Sequence, residues 1–132
     1  MIKLNLQNPL TKELKDLVKN GKFEVNCQED KDSEIYKILC NGHYLQLGGA
    51  EVKDPFTKFT HEELLLITKI AAVSPTLIYI DYKYCNLQGN ASTLTGIISK
   101  SPTIEFVGLS YNDLRLNSIE AVKSLMVGLI RR

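Results

Sequence analysis

The residues best suited to chemistry in this chain are Cys40 and His43, spaced as Cys40-Asn41-Gly42-His43, with Cys27 upstream of them. An imidazole beside a thiol can take its proton and leave a nucleophilic thiolate. Two thiolates and an imidazole are also three of the four ligands of a tetrahedral zinc site. The other histidine, His61, lies in Thr60-His61-Glu62-Glu63, a helix capping box, so no fourth ligand at motif spacing is in view. Structural roles are therefore favoured for these residues. The alternative is a thiol- and histidine-dependent enzyme, or a metal-binding protein, using Cys27, Cys40 and His43. Gly48-Gly49 lacks both the glycine spacing and the Lys-Ser/Thr of a phosphate loop. No catalytic set emerges, and neither cofactor nor metal is expected.

What positions these residues is a chain of 132 residues, 44% hydrophobic and 23% charged, which suits one globular domain with its own core. Sixteen basic against 15 acidic residues leave a net charge of +1. Thirteen of the basic residues are Lys and three are Arg (Arg115, Arg131, Arg132). A nucleic-acid partner, which calls for a basic excess rich in guanidinium forks, is not expected. The longest apolar runs, Leu64 to Ile67 and Ile70 to Val73, are four residues each, far below the ~20 of a spanning helix, so no membrane partner is expected. Met1-Ile2-Lys3-Leu4-Asn5-Leu6 has no apolar core of a secretory signal. Three cysteines without framework spacing (Cys27, Cys40, Cys85) suit a reducing, cytoplasmic compartment.

The second half repeats itself. Ser74-Pro75-Thr76-Leu77-Ile78-Tyr79-Ile80 returns 27 residues later as Ser101-Pro102-Thr103-Ile104-Glu105-Phe106-Val107. The apolar slots Leu77, Ile80, Tyr82, Cys85 and Leu87 align with Ile104, Val107, Leu109, Asn112 and Leu114. A degenerate earlier copy runs through Gly42, Leu45, Leu47, Ala50 and Val52, 35 residues before the next, its extra length assigned to a loop at 53–59. Helices should follow each copy. The first is capped by Thr60 and carries Leu64, Ile67 and Ala71 until Ser74-Pro75; a shorter one is capped by Asn90 and carries Leu94, Ile97 and Ile98. A third, capped by Asn117 with Glu120, carries Ile119, Val122, Leu125, Met126, Leu129 and Ile130. Residues 1–41 do not repeat. They read as a short strand (Ile2, Leu4, Leu6), a helix (Leu10, Leu14, Leu17, Val18) and strands near Phe23–Cys27 and Ile35–Leu39.

Residues 74–114 follow L-x-x-L-x-L-x-x-N/C-x-L, and on that pattern the chain resembles leucine-rich repeats of the ribonuclease-inhibitor type. Tyr82 in a Leu slot and Ala50 in the Asn/Cys slot depart from it. The resemblance implies an α/β fold: a short curved solenoid with parallel strands on its concave face and helices on its convex face. One domain, 1–132, would comprise an atypical N-terminal cap over 1–41 and about three repeats over 42–132. It further implies a non-catalytic protein-interaction module, an effector or a regulator or inhibitor of a partner enzyme. The Lys-rich composition and short repeats are similar to leucine-rich-repeat effectors of intracellular bacterial pathogens, which implies delivery into a host cell and a host protein or another bacterial effector as partner.

Alternation along each strand sends the residues between the apolar slots to the opposite face. Aligned, they form columns: Tyr44, Tyr79 and Phe106; Gln46, Asp81 and Gly108; Gly48, Lys83 and Ser110; Gly49, Tyr84 and Tyr111. Two aromatic columns would flank a polar strip, and clustered rings on an outer face are the stuff of binding hot spots. The rings could instead stack along the ladder and stabilise the sheet; the presence of two columns favours binding. The expected partner-binding residues are Tyr44, Gln46, Tyr79, Asp81, Lys83, Tyr84, Phe106, Ser110 and Tyr111. The strand at 104–109 would expose an edge that a partner or a second copy of the chain could cover.

Overall fold

The computed structural model describes residues 2–4, 8–47, 59–82, 85, 87 and 90–109. In chain order these form β1 (Ile2–Leu4), α1 (Pro9–Lys19), α2 (Cys27–Asp30), α3 (Glu34–Leu39), β2 (Tyr44–Leu47), α4 (His61–Val73), β3 (Tyr79–Asp81), α5 (Ala91–Ile98) and β4 (Phe106–Gly108). The strands make one parallel sheet in the order β1-β2-β3-β4. The fold is α/β. Parallel neighbours need a long crossover, and helices supply it between successive strands.

Local chemistry explains where the helices begin and end. Asn8 caps α1 by accepting from the Leu10 N–H at 2.9 Å, with Pro9 at the first helical position. Its amide also donates to the Lys3 carbonyl at 2.7 Å, tying α1 to β1. Gly21, at φ 88°, ends α1: the Lys22 N–H reaches back to the Leu17 carbonyl and the Gly21 N–H to that of Val18. Thr60 and Glu63 close the expected capping box of α4, and Glu63 also takes an ion pair from Lys15 of α1 at 2.8 Å. Leu64, Leu66, Ile67, Ile70 and Ala71 are all buried, because α4 packs between α1, α3 and α5 and shares one core with the inward residues of the sheet. Asn90 precedes α5 as expected, yet its side chain makes no capping bond.

Two expected strands are absent. Residues 23–26 have no regular structure and α2 begins at Cys27, while Ile35–Leu39 lies within α3. In Glu34-Ile35-Tyr36-Lys37-Ile38-Leu39 the buried residues are Ile35 and Leu39, four apart on one helical face, whereas a strand would have buried Lys37 between them. Ser33 and Glu34 at its start suit a helix N-terminus, and the Ser33 hydroxyl donates to the Glu13 carboxylate of α1 at 2.9 Å.

The internal repeat is written into the sheet. The His43 carbonyl accepts from the Ile78 and Tyr79 N–H groups at 2.8 and 3.1 Å, and the Ile78 carbonyl accepts from those of Glu105 and Phe106 at 2.8 and 3.2 Å. The same bond pattern thus recurs at offsets of 35 and 27 residues. The Ser-Pro-Thr segments anchor it. Ser74 Oγ donates to the Leu39 carbonyl at 2.7 Å and accepts from the Leu77 N–H at 3.1 Å; Ser101 Oγ accepts from the Ile104 N–H at 3.0 Å. Thr76 Oγ1 reaches the Gly42 carbonyl and Thr103 Oγ1 the Ser74 carbonyl, so each threonine fastens its segment to the one before. The slots Leu45, Leu47, Leu77, Ile80, Tyr82, Cys85, Leu87 and Ile104 are buried in one core with the helices. Gly42, where the repeat has an apolar side chain, leaves its space to Ile2 of β1. The third expected helix, at 117–130, lies outside the described residues.

Candidate partner-binding face

The face of the sheet turned away from the helices carries two rows fixed by strand register. Tyr44 pairs with Tyr79 and Tyr79 with Phe106; Lys3 pairs with Gln46, Gln46 with Asp81 and Asp81 with Gly108. Both expected columns that the described residues reach are therefore aligned side by side. Lys3 extends the second. Residues 1–41 carry no repeat that would align it with the column, although the Ile2-Lys3-Leu4 alternation turns it outward. Lys83, Tyr84, Ser110, Tyr111, Gly48 and Gly49 lie outside the described residues, as does whatever adjoins β4 beyond Leu109.

The first row is a stack. The Tyr44 and Tyr79 rings lie 4.4 Å apart at 6° to one another, and Tyr79 and Phe106 follow at 6.2 Å and 27°. Offset stacking of this kind holds the rings in place across strands. It does not hide them all: Phe106 remains 56% exposed, the highest value among the large hydrophobic side chains that stand out from the described surface. Burial raises the Tyr44 hydroxyl above its ordinary pKa, with the Tyr79 and Asp81 charges and their hydrogen bonds adding to the effect, so at neutral pH it stays a proton donor.

Asp81 and Gly108 make the second feature. A Cβ at Gly108 would stand 2.6 Å from Asp81 Oδ1 and 2.8 Å from the Tyr79 hydroxyl. Both polar ends lean across β4 into space that any larger residue would occupy. The absence of a side chain at Gly108 is thus filled by the Asp81 carboxylate and the Tyr79 hydroxyl, which pack directly over its backbone. Phe106 stands two residues along the same strand.

The thiol and histidine set is divided. Cys27, exposed, and Cys40, half-buried, both neighbour the Tyr36 hydroxyl, whose pKa is pushed up first by its hydrogen bond to Cys27 and then by burial. Burial likewise raises the Cys40 thiol. His43 faces elsewhere, its Nδ1 3.2 Å from the Thr76 carbonyl. Among the described residues no group of three or more His, Cys, Asp or Glu side chains is arranged to hold a metal ion, and no helix is long and apolar enough to cross a membrane. Cys85 is buried beneath β3 and burial, followed by the Asp81 charge, lifts it to about 12, which keeps it an inert thiol at neutral pH. No protein family, curated protein or solved structure matches this chain.

Proposed function

We propose that this chain is a non-catalytic protein-binding module, a short leucine-rich-repeat solenoid that takes a protein partner on its concave face. Residues 1–41 serve it as an N-terminal cap. The observation that carries this reading is the register Tyr44–Tyr79–Phe106, which displays a row of rings on the sheet face at offsets of 35 and 27 residues. Rings prepositioned by stacking lose little further entropy on binding, and a partner that covers Phe106 removes a large apolar area from water. In the setting implied by the resemblance the module works in the cytoplasm of a host or of its own cell. It would cover the working surface of a host protein or of another bacterial effector, without nucleic acid or membrane. A second copy of the chain at the strand edge is the homotypic version of the same reading.

A photo-crosslinking residue placed at position 106, and separately at position 12 on the exposed face of α1, tests the proposal in lysate of the producing cell and of a host. A discrete protein adduct from position 106, absent from position 12 and abolished by Tyr79→Ala, is the expected result. Adducts from position 12 alone would overturn the face assignment.

A further inference from the structure

We infer that Cys27 and Cys40 are a redox-sensitive pair, which hydrogen peroxide oxidises to a reversible disulfide, with Tyr36 positioning the two thiols. Neither cysteine lies on the ring row, so the pair is independent of the partner-binding reading.

The fold brings two sulfurs to one oxygen. Tyr36 and Cys40 stand four residues apart along α3, and the Cys40 N–H closes the last turn onto the Tyr36 carbonyl at 2.9 Å, so their side chains share a face. Cys27 comes to the same place from α2. Asp30 holds that short helix: its carboxylate accepts from the Asn26 N–H at 2.7 Å and pairs with Lys22 at 2.9 Å. Its carbonyl accepts from the Ser33 N–H at 2.9 Å, directly before α3. Both thiols hydrogen-bond the Tyr36 hydroxyl. Two sulfurs that share one small partner are near neighbours, and turning the exposed Cys27 side chain toward Cys40 costs little packing.

Exposure gives the two thiols different roles. A structural cysteine is normally buried, whereas Cys27 is exposed and outside the core. An accessible thiol with a second thiol at hand is the arrangement of a peroxide-sensing cysteine and its resolving partner. The Cys27 thiolate attacks one peroxide oxygen. The O–O bond breaks, Cys27 becomes a sulfenic acid, and the other oxygen takes a proton and leaves as water. The half-buried Cys40 thiolate then attacks the Cys27 sulfur. The S–S bond forms, the S–O bond breaks, and the second oxygen leaves as water. Two electrons pass from the sulfurs to the peroxide, and both thiol protons end in water. Burial opposes the Cys40 thiolate, and the Tyr36 hydroxyl works the other way by donating to its sulfur. Tyr36 is thus a positioning residue for the second step. Cys85, buried beneath β3, takes no part.

The test uses the full chain, reduced, treated with hydrogen peroxide at neutral pH, then blocked with a maleimide in urea. Trypsin without reduction places Cys27 in peptide 23–31 and Cys40 in peptide 38–53. The expected product is these two peptides joined, two hydrogens lighter than their sum, with Cys85 carrying the maleimide. The chain should run at single-chain size on a non-reducing denaturing gel, and dithiothreitol should restore both thiols. Cys40→Ser should leave Cys27 as a sulfenic acid that dimedone captures; Cys27→Ser should leave Cys40 unoxidised at the same dose. Tyr36→Phe should slow disulfide formation several-fold, yet added to Cys40→Ser it should leave the rate of sulfenic acid formation unchanged. A merely structural ring would not split the two steps in this way, and equal disulfide rates with and without the hydroxyl would overturn the part given to Tyr36. Three thiols all blocked after peroxide, Cys27 oxidised while Cys40 carries the maleimide, or disulfides only between chains would each overturn the pair. The wild-type peptide map needs no variant to fold.

Discussion

The hydroxyls of Thr68 and Tyr82 meet 2.5 Å apart in the interior, one from α4 and the other from the end of β3, and neither residue is exposed at all. Tyr82 occupies a slot where the other copies carry Leu47 and Leu109. A phenol is tolerated there because the helix above provides a partner for its oxygen. Tyr82→Phe should leave the Thr68 hydroxyl unpaired and cost about 1–3 kcal/mol in urea unfolding. Adding Thr68→Val should recover part of that loss, and strictly additive losses would show that the two hydroxyls are not coupled.

Ser74→Ala should be among the most damaging small substitutions in the chain. It removes the donor to the Leu39 carbonyl and the acceptor for the Leu77 N–H, both within a buried turn. A loss of roughly 1–3 kcal/mol is expected, seen as a lower urea midpoint at unchanged slope.

Stability should fall on the alkaline side. Burial raises Cys85 from the ordinary 9.0 to about 12 and also raises Tyr44. Between those limits the folded chain keeps a proton at Cys85 that the unfolded chain releases. The stabilisation is therefore whole below about pH 9 and is lost as pH rises toward about 12. Urea unfolding from neutral to strongly alkaline pH should trace this decline, and Cys85→Ala should make it shallower. An unchanged slope in that variant would assign the decline to other groups.

Thiol labelling should proceed in the order set by exposure. Cys27 is exposed, Cys40 half-buried and Cys85 buried. A maleimide at neutral pH should modify Cys27 first, Cys40 more slowly, and Cys85 only at the rate of unfolding. Mass spectrometry of digested time points reads the order directly.

Phe106→Ala should weaken the partner complex by about 1–3 kcal/mol. Its cost to folding should stay below about 1 kcal/mol, since one cross-strand ring pair is lost from an exposed site. Lys12→Ala, which removes only an exposed i,i+4 ion pair with Asp16, should alter neither quantity appreciably.

The repeat-bearing half was readable because its signals are redundant. Ser-Pro-Thr stops a helix and anchors a strand, and the apolar slots then fix which side chains turn out; Tyr79 over Phe106 and Asp81 beside Gly108 follow from one alignment. The 23–39 segment lacked such redundancy. Ile35, Tyr36 and Ile38 are residue types that favour strands, and this propensity is overridden where Ile35 and Leu39 share one helical face against α1, which is a tertiary fact. Of the site, the rows were legible and the packing of Asp81 and Tyr79 over Gly108 was not. That a glycine matters for what leans over it, rather than for its own backbone, appears only once Asp81 and Tyr79 are placed in space.

The hydrogen bonds that join β2 to β3 and β3 to β4 have the same form, although one junction spans eight more residues of sequence than the other. The sheet therefore keeps its spacing whatever length of chain travels between strands. Closing a longer connection costs entropy only logarithmically. Changing the number of residues between Leu47 and Phe59 should accordingly leave the pairing of β2 with β3 as it is. The ring row would keep its register, and a lineage could vary the length of that connection without redesigning the sheet.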